Sequence, residues 1–362
     1  DRLGPSVTHE HLTSGPPDPV TGAPAPPTPE DTAQEIAAAA AATTTAPTAA
    51  TATTAPTSGF VRRPVLGYVL YLSGALFFGI NGTVSKVLLN SVGDAARVSQ
   101  LRVTFAFLIL LVVVAATNPR SLPLRRAEIP RVAAYGILGV AMTQWLFFVA
   151  LTRLPVGIAL LIEFTAPIMV VLWVRYGWRR PVRNTVWLGL ALAMVGLAMV
   201  AQIWLGLTLS VLGVTAAFGA AMALALYYVL GETNSQDRDP VSLTLWGFAF
   251  AALMWAVALP WWRFPWSALD GSANPFGEGT GSVPLWGLAA WMVILGTIAP
   301  FWLVLAAIRH IGAAGASIIG LSEPFIAALV AWVILGEVLT PVQLLGGAVI
   351  LTGVGVAERA RG

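Results

Sequence analysis

The sequence predicts an all-α membrane protein of ten transmembrane helices, arranged as two inverted five-helix repeats. Three observations carry that prediction. Hydrophobic residues make up 57% of the chain and charged residues 10%, and mean hydropathy is +0.78, whereas a soluble domain carries roughly 25% charged residues. Apolar stretches close to the ~20 residues needed to cross hydrocarbon recur from Pro64 onward. The second half also repeats the first at a shift of about 157 residues.

Residues 1–59 differ in kind from the rest. Runs such as Gly15-Pro16-Pro17-Asp18-Pro19 and Thr43-Thr44-Thr45-Ala46-Pro47 have too little apolar bulk to offset the entropy of ordering. They are expected to form a disordered, Pro/Ala/Thr-rich cytoplasmic tail. The alanine stretch lacks the basic flank and strongly apolar core of a secretory signal. The expected spans are 65–86, 98–116, 131–151, 155–175, 184–203, 209–230, 241–261, 284–306, 312–335 and 341–357. Breaks at Asn118-Pro119, Arg179-Arg180-Pro181, Asp239-Pro240 and Thr340-Pro341 use proline to stop or start helices. Residues 60–203 form the first five-helix repeat and 204–362 the second.

Orientation follows from the arginines. With the tail inside, the inner loops hold Arg62, Arg63, Arg120, Arg125, Arg126, Arg131, Arg175, Arg179, Arg180, Arg183, Arg238, Arg309, Arg359 and Arg361. The outer loops hold Lys86, Arg97, Arg153 and Arg263. This bias predicts a multi-pass protein of the plasma (inner) membrane with both termini cytoplasmic. The basic pI is therefore a matter of topology, and nucleic acid is not an expected partner. The absence of cysteine excludes disulfides, thiolate metal sites and cysteine nucleophiles.

At the 157-residue shift, Ile137-Leu138-Gly139 falls on Ile294-Leu295-Gly296, Trp145-Leu146 on Trp302-Leu303, and Pro167 on Pro324. Leu188-Gly189 and Gly196 fall on Leu345-Gly346 and Gly353. A unit of five helices is odd, so its second copy enters from the opposite side. Inverted repeats of this kind place a site at the midplane between halves that rock against each other; a duplicated inert scaffold is the plainer alternative.

Few ionisable groups lie within the spans: Arg102, Glu163 and Glu323, with Lys86 near an outer end. Intramembrane charge costs a few kcal/mol, so such groups face a cavity or a partner. Glu163 and Glu323 sit near the centres of the fourth and ninth spans beside Pro167 and Pro324, which free backbone carbonyls. They are not repeat mates, since the shift pairs Glu163 with Gly320 and Ala166 with Glu323. Their functional reading is contact with substrate or a coupling proton. The structural reading is an ion pair with Lys86 or Arg102, a carboxyl kept neutral or, for Glu323, helix packing. Lys86 and Arg102 are candidates for gating or charge pairing across an outer loop, against a reading as snorkelled charges. Asn81, Gln144, Trp145 and Tyr227 are candidate cavity-lining residues, against ordinary packing. Gly312, Ala316 and Gly320 make a smooth helix face suited to close packing. Glu337 reads as a helix-end organiser. The chain has no paired-histidine metal motif and no phosphate-cradling Gly-Lys-Ser/Thr loop, so neither a cofactor nor a metal is expected.

Several of these segments form a recognisable set. Phe78-Gly79-Ile80-Asn81 with Lys86, Arg102, and Glu163-Phe164-Thr165-Ala166-Pro167 are joined by Ser322-Glu323-Pro324-Phe325-Ile326-Ala327-Ala328, Leu335-Gly336-Glu337 and Gln343-Leu344-Leu345-Gly346. On these residues the chain resembles the drug/metabolite transporter superfamily, specifically its EamA-type ten-helix exporters. The Glu163 motif is similar to the threonine and homoserine exporter branch. Phe78 departs from the Trp that many members carry, and the loop after the sixth helix is acidic. The resemblance implies a secondary transporter with alternating access, exporting small metabolites such as amino acids on a proton or substrate gradient. Uptake or exchange of another solute, a lipid-modifying membrane enzyme, or a scaffold are the alternatives. Expected partners are the substrate, protons and the lipid bilayer, with a homodimer left open.

Overall fold

The computed structural model describes residues 61–154, 156–203, 210–275, 281–335 and 339–361. The tail at 1–59, Glu337 and the side chain of Lys86 lie outside that description. Ten membrane segments follow among the described residues. We label them α1 (Pro64–Val92), α2 (Ala95–Thr117), α3 (Ile129–Leu151), α4 (156–177), α5 (Asn184–Val200), α6 (Val211–Ser235) and α7 (Pro240–Ala258), then α8 (285–311), α9 (313–335) and α10 (Pro341–Arg361). The protein is an all-α membrane protein, as the composition requires. A two-stranded pairing of Ser272–Ala273 with Val283–Pro284 sits in the loop between α7 and α8.

The helix starts obey local chemistry. Asp94 caps α2 by accepting from the Ala96 N–H, Ser210 caps α6, and Asp239 followed by Pro240 caps α7. The boundary between α8 and α9 differs from the sequence expectation. Gly312 was placed on a smooth helical face, yet its φ of 76° and ψ of 169° interrupt the helix there. Only glycine adopts that backbone cheaply, so the residue turns the chain and does not pack as part of a stripe.

The repeat is visible in the packing. Lipid offers no hydrophobic drive between helices, so association depends on close backbone approach through small residues. A Cβ placed on Gly196 would lie 2.6 Å from the Gly346 carbonyl oxygen, and one on Gly189 2.6 Å from that of Gly353. Gly346 and Gly353 are the repeat mates of Gly189 and Gly196. Each glycine therefore meets the mate of the other, the contact pattern of a two-fold axis, here between antiparallel α5 and α10.

The helix interruptions obey the same shift. A π-helical turn in α3 spans Tyr135–Ala141 and one in α8 spans Ile294–Ile298. In α4 the helix stops at Glu163 and restarts at Ala166; in α9 it stops at Gly320 and restarts at Glu323. At both breaks a hydroxyl residue folds back identically. The Thr165 hydroxyl donates to the Ile162 carbonyl at 2.7 Å, and the Ser322 hydroxyl to the Ile319 carbonyl at 2.6 Å.

The arginine-bearing loops meet at one end of the bundle. Arg238 pairs with Glu128 at 2.8 Å, Arg131 with Asp237 at 3.2 Å and Arg180 with Glu232 at 2.7 Å. Arg238 also donates to the carbonyls of Ser121 and Pro123, stitching the α2–α3 loop to the start of α7. The hydrogen-bonded Arg238 guanidinium holds the Glu128 carboxyl below the usual carboxylate range.

Two predictions arise from this packing. Gly196→Val should force α5 and α10 apart and cost about 1–3 kcal/mol. Gly355→Val, at a position with open space around it, should cost little. Thermal unfolding in detergent compares the two, and equal losses would contradict the symmetric crossing. The Glu128 pair should also show in acid. Its contribution is complete above the unfolded carboxyl value of roughly 4.3 and is lost as pH falls through the lower folded value. Glu128→Gln should therefore be the less stable protein at pH 7, with the gap from the parent closing below about pH 4. A pH-independent gap in the unfolding midpoint would contradict the pairing.

Candidate functional site

Pro167 and Pro324 explain the two breaks in α4 and α9. Neither has an N–H to give the carbonyl four residues earlier, and each ring crowds that carbonyl. The carbonyls so released belong to Glu163 and Gly320, which are repeat mates. Interrupted backbone at this depth is tolerated where protein surrounds it, and Phe164, Ala166, Leu321 and Ser322 are all buried.

Four side chains from four helices converge there. The Tyr71 hydroxyl of α1 lies 2.5 Å from the Tyr228 hydroxyl of α6 and donates to Glu323 Oε1 of α9 at 2.5 Å. Glu163 of α4 is buried and lies within electrostatic range of Glu323 and Tyr228. Gly320 makes room for the hydroxyl pair, since a Cβ there would stand 2.7 Å from the Tyr71 oxygen and 3.0 Å from that of Tyr228. This replaces its expected role in a helix-packing stripe. Glu163 has no hydrogen-bond or ion-pair partner among the described residues, and Glu323 has Tyr71 alone. Two carboxyl groups from opposite repeats thus lie within electrostatic range of each other, with a phenol pair bonded to one of them.

The remaining candidate residues fall into two neighbouring groups. Arg102 is buried and donates through Nε to the Thr297 hydroxyl at 2.5 Å and through Nη2 to the Gly296 carbonyl at 2.7 Å. Both acceptors lie in the π turn of α8, where widened helical winding leaves a carbonyl available. No ion pair joins Arg102 to Glu163. Asn81 meets the same turn, and a Cβ on Gly296 would overlap its amide. Gln144 is buried on α3, and Trp145 beside it contacts Trp255 of α7 edge-on at 6.0 Å. The Asn81 Oδ1, both amide atoms of Gln144 and the Trp255 indole N–H are buried with no hydrogen-bond partner among the described residues. Each such group costs about 1–3 kcal/mol unless something satisfies it.

Tyr227 stacks on Tyr135 with centroids 5.4 Å apart and meets Phe301 edge-on at 5.6 Å. Phe301 in turn touches Phe78 at 5.5 Å and Phe248 at 5.3 Å. The resulting aromatic cluster joins α1, α3, α6, α7 and α8. Phe78, the departure from the usual Trp, belongs to it. Sequence reasoning missed Tyr71, Tyr228, Thr297 and Phe301. The signal was present for the tyrosines, as phenols well inside spans that need a partner there.

Comparison with known proteins agrees with this architecture. The sequence profile of the EamA-like transporter family matches twice, at residues 65–202 and 211–357. The threonine/homoserine exporter RhtA of Escherichia coli (strain K12) is 30% identical over 275 residues, covering 75% of this chain and 85% of its own. An uncharacterized transporter of Archaeoglobus fulgidus is 28% identical over 283 residues, covering 77% and 92%. One crystal structure superimposes with a TM-score of 0.63 at 16% identity, covering 82% of this chain and 98% of that one, which shows the fold alone. With two family matches spanning nearly all of its membrane region, the chain belongs to the EamA-like transporter family.

Proposed function

We propose that the protein is a secondary active transporter that exports small metabolites, amino acids or related compounds, by alternating access across the plasma membrane. The observation that carries this reading is the pair of helix breaks that hold Glu163 and Glu323 within electrostatic range, with no basic partner among the described residues. Such breaks supply carbonyls and carboxyls suited to a substrate's ammonium group. The unpartnered amides of Asn81 and Gln144 supply polar contacts for the rest of the molecule. The exporter name of the 30% identical relative supports the substrate class and the direction.

Protons are the proposed coupling ion. Low dielectric penalises the charged form of a carboxyl, and two carboxyls in range of each other repel when both are charged. A substrate ammonium arriving between them would favour charged carboxylates, so binding would release a proton. The Tyr71–Tyr228 hydroxyl pair offers a relay to Glu323. The proposed membrane orientation puts both termini and the arginine-bearing face in the cytoplasm. The family and its named relatives are transporters, and the proposal includes no enzymatic step.

Glu163→Gln should abolish accumulation driven by a pH gradient in proteoliposomes while leaving the protein folded. Flux of threonine and homoserine, the solutes named for the relative, across a series of pH gradients is the measurement. Parent-like, pH-dependent transport by the Gln variant would return Glu163 to a structural role. Orientation is tested separately. Tags at either terminus should be reached only from the cytoplasm, and a tag at Gly271 only from outside; termini on opposite sides would contradict the ten-helix arrangement.

A further inference from the structure

A chamber of about 390 Å³ opens on the arginine-bearing face, away from the helix breaks. It lies between the ends of α4, α5, α6, α8, α9 and α10, beside the residues that lead into α1. Its lining mixes apolar side chains, Val174, Val186 and Ile311 among them, with Arg62, Arg180, Arg183 and Arg361 and the single, buried carboxylate of Glu232.

Three of these five charges are already committed. Glu232 takes Arg180 at 2.7 Å through Oε1 and the Ala313 N–H at 2.6 Å through Oε2, so it caps the half of α9 that begins after Gly312. Arg361 donates to Glu358 at 2.6 Å and to the Ile311 carbonyl at 2.7 Å. Arg62 and Arg183 have neither a hydrogen bond nor an ion pair through their side chains among the described residues. Two guanidinium groups with no side-chain partner among the described residues therefore line a chamber that is part aliphatic. Guanidinium matches carboxylate and phosphate oxygens in a planar, two-point geometry, and the aliphatic wall gives a hydrocarbon body somewhere to lie.

We propose that this chamber is a binding site for an anionic amphiphile, with its phosphate or carboxylate held by Arg62 and Arg183 and its apolar part against the valine and isoleucine wall. The same chemistry comes from two sources: the headgroup of an anionic phospholipid in the adjoining leaflet, or a free carboxylate bearing a short alkyl chain. Because Glu232 and Arg361 hold the junction of α8 with α9, occupation of the chamber bears on the first half of α9, which runs to the break just before Glu323. The site is distinct from the transport site and does not depend on that reading.

The test uses the full chain in a neutral detergent, with its thermal midpoint followed during addition of phosphatidylglycerol, phosphatidylcholine or octanoate at constant ionic strength. Phosphatidylglycerol should raise the midpoint and phosphatidylcholine should not. Arg62→Gln with Arg183→Gln should demand on the order of tenfold more phosphatidylglycerol for the same shift. Arg120→Gln with Arg126→Gln, on the same face but outside the chamber, should leave the titration unchanged. Val186→Trp, which fills the chamber with its charges intact, should also weaken the response and serves if the double variant does not fold. A shift with octanoate alone would assign the soluble source, with the site intact. Equal shifts with phosphatidylcholine, no shift with either anion, or equal weakening in the Arg120/Arg126 pair would overturn the proposal. Glu163→Gln should keep the phosphatidylglycerol response, so failure of the transport reading and failure of this one are distinguishable.

Discussion

Everything in this molecule turns on two interrupted helices. A helix that breaks within hydrocarbon leaves carbonyls that lipid cannot satisfy, so the break must be enclosed by protein. Pro167 and Pro324 make the breaks unavoidable, and the other helices are arranged around them. The enclosure uses small residues at close approaches, such as Gly320 beside the Tyr71 and Tyr228 hydroxyls. It also uses hydroxyl residues at the breaks themselves, where Thr165 and Ser322 return their protons to carbonyls of the preceding turn. What those local bonds leave over is a pair of carbonyls and a pair of carboxyls from opposite repeats, the carboxyls within electrostatic range of each other.

The two repeats share a framework but not a chemistry. Their backbones agree in the π turns of α3 and α8 and in the helix restarts, while the π turn at Trp173–Gly177 of α4 has no counterpart in α9; α5 crosses α10 through glycines that exchange partners under the shift. Their acidic groups do not agree: Glu163 ends one half-helix, while Glu323 begins another. One carboxyl thus sits at the C-terminal end of a half-helix and the other at the N-terminal end of one. Divergence at matched positions gives the site two carboxyls in unlike surroundings, one tied to a phenol pair and one without a partner among the described residues.

Much of this was legible in the sequence, for identifiable reasons. Span length and the arginine bias follow from the solvent, so the helices and their ends could be read directly. The shift of about 157 residues aligned Pro167 with Pro324 as residues that free a carbonyl, and the helix breaks fall beside them. Tertiary contacts were less legible. Gly312 and Gly320 read as a packing stripe because four-residue spacing presumes a continuous helix, and the positive φ at Gly312 removes that premise. Arg102 read as a partner for a carboxyl or, beside Lys86, as a gating cation, since a buried charge suggests an opposite one. The π turn of α8 instead offered it a carbonyl and a hydroxyl, which no sequence pattern announces. Tyr71 was passed over because one phenol in a span looks like packing until its partners are known.

The central claim is that the two breaks line one passage, reached in turn from each face of the membrane. The chain contains no cysteine, so single cysteines report without background. Thr165→Cys and Ser322→Cys place thiols at matched positions in the two breaks. Each variant in sealed vesicles of known orientation is treated with a membrane-impermeant thiol reagent, from one face and then from the other. The account predicts that both positions label from both faces, and that saturating transported substrate slows labelling at both. Thiols that stay inert from both faces, or that label with no response to substrate, would contradict it.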